Sequence, residues 1–151
     1  MTTEIQAITE TQVFDWTRQL CDTLEENYRN YHISSLHSII KSHEDKGQSA
    51  DFAKRQVIDF EEGVSKLMKF RIHPTQKYLK VIQQEFDTGR NEYRDGSVHA
   101  FVDKKTGQVY KPAGWQKPAK HVRYDLSNPN DRERLLVEKK CSWSGGYLYL
   151  R

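Results

Sequence analysis

The chain is poor in cysteine, with only Cys21 and Cys141 in 151 residues. Two thiols so far apart are too few for a disulfide framework, and a reducing compartment is the expected setting. Long apolar runs are missing too. No stretch of about 18 apolar residues is present, which excludes a membrane-spanning helix and a membrane partner of that kind. The opening Met1-Thr2-Thr3-Glu4-Ile5 lacks the basic-then-apolar order of a signal peptide, so the expected location is cytoplasmic. Glycine is scarce where phosphate chemistry would need it. The pair Gly145-Gly146 has neither the spacing nor the following helix of a nucleotide loop. The six histidines show neither a His-x-x-x-His nor a Cys-x-x-Cys partner. Their one local cluster, His37 and His43 with Glu44 and Asp45, reads as solvated polar surface. Neither cysteine has a histidine near it in sequence. No metal, no cofactor and no catalytic residue are expected, and the reading favoured is a protein that is not an enzyme.

What is present is aromatic and charged. Hydrophobic residues make up 36% and charged residues 30%, with 8 Tyr, 6 Phe and 3 Trp. Mean hydropathy is −0.88. Chains that stay disordered are poor in aromatics, so this one folds, and its length suits one domain over residues 1–151. The net charge of +3 hides a polarity. Residues 1–75 carry 9 Lys+Arg and 12 Asp+Glu, net −3, whereas residues 76–151 carry 15 and 9, net +6. An acidic half followed by a basic half points to a polyanionic or acidic partner for the second, or to helices and strands that simply differ in surface composition.

Apolar spacing sets the element types. Val13, Trp16, Leu20, Leu24, Tyr28 and Tyr31 recur at steps of three and four and predict a helix from about Thr11 to Asn30, with Thr9 and Gln12 forming a capping box. Ser34 or Ser35 caps a second, shorter helix carrying Leu36, Ile39 and Ile40, which ends in the polar stretch from His43 to Gln48. Ser49 caps a third, whose stripe is Phe52, Ala53, Val57, Phe60, Val64 and Leu67, running to about Phe70 and stopped by His73-Pro74. The first 75 residues are thus expected to be mainly helical. From Lys77 the period falls to two. Strands are expected at Tyr78 to Gln83, at Val98 to Val102 and at Gln108 to Lys111. Asp95-Gly96 is read as a tight turn, and Asp103 to Gly107 as a hairpin closed by a left-handed Gly107. Alternation places His99, Phe101 and Asp103 on one face. Pro112 to Lys120 reads as a loop around Trp115. Asn128 or Ser127 before Pro129 opens a short helix to about Lys139, and the segment from Cys141 ends in an alternating strand. The fold class is α+β, with N-terminal helices packed on an antiparallel β-meander and a short helix before a C-terminal strand.

The string from Ser97 to Ala113, the following Trp115 to Arg123, and the closing Trp143 to Tyr149 resemble a family of small uncharacterised tailed-bacteriophage proteins. The likeness covers about a third of the chain, all in its basic half. It implies a phage accessory protein made in a bacterial host cytoplasm, with host or phage proteins as partners. The family brings no assigned activity, so no residue role transfers with it.

The run from Lys104 to Tyr124 contains no carboxylate. Within it Lys105, Lys111, Lys117, Lys120 and Arg123 are interleaved with Tyr110, Trp115 and Tyr124. Cations track a phosphate backbone while aromatic rings stack on unpaired bases, so Lys105, Lys111, Trp115, Lys117, Lys120 and Arg123 are the candidate nucleic-acid-binding residues, for DNA or RNA. The alternative gives Trp115 and Tyr110 a core role with the lysines as a solvated rim. Another alternative is a structural or interaction protein, homo-oligomeric or not, that makes contact through Val13, Trp16 and Leu20 or through the aromatic tail.

Overall fold

The computed structural model describes residues 7–149. The first element, α1 (Glu10–Asp45), is one helix of 36 residues. It starts at the expected capping box: the Gln12 amide donates to Thr9 Oγ1 at 3.1 Å and the Thr9 amide donates to Gln12 Oε1 at 2.8 Å. The two helices expected here are continuous. Ser34 and Ser35 are only mildly poor helix formers, no proline or glycine interrupts, and Leu36 extends the buried stripe, so nothing stops propagation. Val13, Thr17, Leu20, Cys21 and Leu24 are buried. Farther along only Leu36 is, packed with Ile33 and Ile40 against Ala53 and Val57 of α2 (Asp51–Glu61).

Helix α2 ends at Glu61, well short of Phe70. Gly63 adopts φ +73, its amide donates to the Phe60 carbonyl at 3.1 Å and the Val64 amide to the Asp59 carbonyl at 3.0 Å. This left-handed glycine closure terminates the helix instead of being absorbed by it. The freed residues form an unanticipated strand, β1 (Lys69–Pro74). Four further strands follow: β2 (Tyr78–Asp87), β3 (Glu92–Asp103), β4 (Gln108–Pro112) and β5 (Pro118–Asp125). They pair in sequence order as an antiparallel meander. The prolines Pro74 and Pro118 sit at the two edge strands, where a missing amide costs least.

The meander turns where side chains supply acceptors. Asp87 Oδ1 accepts from the Gly89 and Arg90 amides, and Asp103 Oδ1 from those of Lys105 and Thr106. Gly107 has φ +81, as the hairpin requires. Asp95-Gly96 is not a turn. It lies inside β3 at a register shift opposite Gln83 and Gln84, and residues 88–91 make the reversal instead. A second shift, between Val81 and Ile82, leaves His99 without a partner. This bulge divides the residues expected on one face. His99 packs edge-on against Phe70 beneath the helix, whereas Phe101 joins Ile82 and Val98, flanked by Tyr78 and Tyr110, in a separate cluster.

The main core lies between α1 and the sheet, built from Val13, Leu20 and Leu24 against Phe70, Leu79, Val81, Ala100, Val102 and Val109. After β5 comes a short helical segment. Its first turn, α3 (Pro129–Arg132), is capped by Asn128, whose side chain accepts from the Asn130 amide at 2.8 Å. Residues Glu133–Val137 widen into a π-helical turn. The expected closing strand is absent from the described residues. Gly146–Leu148 forms a single 3-10 turn behind a left-handed Gly145, and Leu148 fills the core with Cys141. The glycine pair breaks the extended run, and the tail is satisfied by packing rather than by a ladder. Leu150 and Arg151 lie outside the described residues.

Candidate functional site

Residues 112–120 are not an irregular loop. Pro112 pairs with Pro118 across the tip of a β4–β5 hairpin, closed by the Ala113 amide donating to the Lys117 carbonyl at 3.0 Å. Trp115 sits at this tip, 46% exposed. Its carbonyl accepts from Lys80 Nζ, the ammonium that also lies over the Phe101 ring. A buried lysine therefore holds the backbone of the tip while the indole stays half open. Lys117 and Lys120 are exposed on the same hairpin.

The other expected residues scatter from this point. Lys105 lies in the β3–β4 turn, at the far end of a five-residue strand that spans about 17 Å. There it shares a hollow with Gln76, Lys77 and Asp103. Lys111 lies on the side of the C-terminal tail, its Nζ 4.8 Å above the Tyr149 ring. Arg123 is committed to structure: Nε donates to the Leu148 carbonyl at 2.6 Å and Nη1 to that of His121. The hairpin thus joins Trp115, Lys117 and Lys120 and leaves Lys105, Lys111 and Arg123 apart.

Among the described residues, no ion pair neutralises the hairpin lysines. The ion pairs of the described residues are Lys54–Glu44, Arg55–Asp59, Arg71–Asp95, Arg90–Asp87 and Lys139–Glu26, and none uses a candidate lysine. The nearest carboxylates in sequence are occupied, Asp103 by the turn amides and Asp125 by the amide and hydroxyl of Ser127.

A second basic site escaped the sequence reading. The end of the π turn and the tail enclose an open cleft of about 620 Å³ lined by Arg134, Lys139, Lys140, Tyr124, Tyr147 and Tyr149, among others. Its one signal in sequence is the doublet Lys139-Lys140 following Arg134, which a regular helix would have spread around its surface. The tail itself is anchored. The Trp143 amide donates to Asn27 Oδ1 at 2.9 Å, and the indole packs on Tyr28 and Tyr31. His99 Nε2 is 2.8 Å from the Tyr147 hydroxyl. Burial pushes His99 down to about 4 and holds the Tyr147 phenol well above its ordinary value.

The contact surface expected on α1 is not available as such. Val13 and Leu20 are fully buried, and Trp16 lies under the Arg132 guanidinium at 4.3 Å. Cys21 and Cys141 are buried too, their thiols pushed up to about 12, chiefly by desolvation, which keeps them protonated and unreactive. Among the described residues no group of three His, Cys, Asp or Glu gathers as a metal site. No helix among them is long and apolar enough to cross a membrane.

A long helix laid on an antiparallel meander, with unpaired cations beside aromatic rings at the hairpin and tail, defines an α+β protein with a basic, aromatic edge. The chain belongs to a family of unknown function (DUF7717), whose match covers residues 1–150. No curated protein and no solved structure matches it.

Proposed function

We infer that this chain acts as a single-domain, phage-type accessory protein of the host cytoplasm that binds single-stranded nucleic acid at the tip of the β4–β5 hairpin. Trp115 stacks on a base, and Lys117 and Lys120 neutralise phosphates. Lys105 and Lys111, which lie apart from the tip, add only to the long-range positive field, and Arg123 braces the hairpin against the tail. One observation carries this reading: the hairpin presents, beside a half-exposed indole, exposed lysines that take part in no ion pair among the described residues, in a run from Lys104 to Tyr124 without any carboxylate. Indole stacking serves DNA and RNA alike, because every base has a π face.

The test is anisotropy of labelled single- and double-stranded oligonucleotides at low and near-physiological salt. Binding is expected to favour single strands and to weaken steeply with salt. Lys117→Ala with Lys120→Ala reduces the salt slope by up to about two, roughly one per lost phosphate contact. Unchanged affinity in this double variant overturns the reading.

A second reading is a homo-oligomer joined through the α1–α2 arm. It is favoured by Phe52, 78% exposed, with Ile39, Ile58 and Val64 also exposed on the same arm. Light scattering of the wild type and of Phe52→Ser distinguishes it, since a dimer held there dissociates in the variant.

A further inference from the structure

We propose that the cleft between the π turn and the C-terminal tail is a binding site for a small phosphorylated ligand with a planar ring, of the nucleoside monophosphate class. The site stands apart from the hairpin tip and does not rest on the nucleic-acid reading. Its volume of about 620 Å³ lies within the range of small-molecule sites.

The chemistry of its walls is divided. Arg134, Lys139 and Lys140 supply cations, Tyr124, Tyr147 and Tyr149 supply rings, and among the described residues no acidic side chain lines the cleft. The π turn brings the cations together. The Glu138 amide donates to the Glu133 carbonyl at 2.8 Å, and the Lys140 amide donates to the Arg134 carbonyl at 2.9 Å. Residues six apart are thereby joined directly through their backbones. The same closure forces Lys139 to φ 58, a left-handed conformation that a lysine adopts at a cost. A π turn and a left-handed non-glycine residue thus stand side by side on one wall. Such departures persist where something other than local propensity selects them.

Lys139 has a partner already. Its ammonium lies 2.8 Å from Glu26 and anchors the turn to α1. Arg134 and Lys140 are exposed and take part in no ion pair among the described residues. They leave two positive charges facing a dianionic phosphate, with the Arg134 fork suited to bidentate contact. The Tyr124 and Tyr147 rings, which also line the cleft, lie 5.8 Å apart, inclined by 36°, and Tyr149 is 62% exposed with Lys111 above it. Tyrosine rings supply faces of the kind that hold a base or another flat ring, and Tyr149 is the exposed one. A bare inorganic anion would leave it unused, and an uncharged nucleoside would leave the cations unused.

The experiment is an amide-resolved NMR titration of the full chain with AMP, UMP, adenosine and inorganic phosphate. The nucleotides are expected to shift the amides of residues 134–149 and to bind more tightly than either adenosine or phosphate alone. Arg134→Gln with Lys140→Gln weakens nucleotide binding by about tenfold or more, while Lys139 and its bridge are kept. Tyr149→Ala weakens AMP binding and leaves phosphate binding unchanged. All three substituted side chains are exposed, and an unchanged melting profile confirms the folded state of each variant. The proposal is overturned if no ligand shifts these amides, if phosphate binds as well as AMP, or if the Arg134/Lys140 variant binds AMP like the wild type. Shifts confined to residues 113–120 overturn it as well, and place nucleotide binding at the hairpin.

Discussion

His99 makes the stability of this fold depend on pH in a defined window. The residue is 7% exposed, its ring stands edge-on to Phe70, and its one polar side-chain contact among the described residues is the Tyr147 hydroxyl at 2.8 Å. Desolvation holds the imidazole at about 4 against an ordinary 6.5. Between these values the unfolded chain takes up a proton that the folded chain refuses, so stability rises with pH across the window. Above the unfolded value both states are neutral and His99 adds no slope. Each pH unit inside the window is worth about 1.4 kcal/mol, so the full loss is about 3 kcal/mol, reached near pH 4. Its hydrogen-bond partner does not blur the effect, because burial holds the Tyr147 phenol well above its ordinary value and it stays protonated. Urea unfolding of the wild type and of His99→Gln at about pH 7.5 and about pH 4.5 measures the difference. Glutamine can bond the tyrosine hydroxyl without titrating. Carboxylates held low by cations, Asp95 by Arg71 and Glu26 by Lys139, lose their contribution as pH falls, in both proteins alike. The wild type is expected to lose about 2 to 3 kcal/mol more than the variant. Equal losses would refute the assignment of a neutral, buried His99.

Other substitutions test the packing and the turns, each by urea unfolding at neutral pH. Leu20→Ala empties a fully buried position between α1 and the sheet and is expected to cost about 2–5 kcal/mol; a cost below about 1 would mean that the helix does not pack as described. Gly107→Ala forces a Cβ into a left-handed turn, 3.2 Å from the Ser127 amide, and costs about 1–2 kcal/mol or more. Gly114→Ala meets nothing within 4 Å and stays within about 0.5 kcal/mol of the wild type. Thr9→Ala removes the capping box of α1 and costs about 1 kcal/mol, visible also as a loss of amide protection in the first turn.

Local rules were legible at several places where a residue acts on its immediate neighbours, though not at Asp95-Gly96, which lies inside β3. Thr9 with Gln12, Asp103 ahead of Gly107 and Asn128 before Pro129 announced a helix start, a hairpin and a second helix start, and each forms the expected hydrogen bonds. The same rules misled at Gly63, where one glycine inside an apolar stripe is compatible either with a continuing helix or with a helix end. The alternation that put His99 and Phe101 on one face failed because a bulge adds a residue to one strand without marking the sequence. For the site, the acid-free run pointed to Lys105, Lys111, Trp115, Lys117, Lys120 and Arg123 alike, of which the hairpin carries Trp115, Lys117 and Lys120 together. It could not tell that Arg123 turns to the Leu148 carbonyl or that Lys111 lies over Tyr149.

From sequence alone came the fold class, the change from period 3.6 to period 2, the turn at Asp103 to Gly107 and the segregation of charge between the halves. These depend on covalent connectivity and on interactions a few residues long. Tertiary structure decided which strands exist at the edges, which cations among the described residues take no ion pair, and that Arg134 and Lys140 line one cleft with three tyrosines. Those outcomes depend on which surfaces α1 covers and on where the tail is held by Asn27, Tyr28 and His99. Contacts between residues more than a hundred positions apart are set by the summed packing of the core, and no local pattern encodes them.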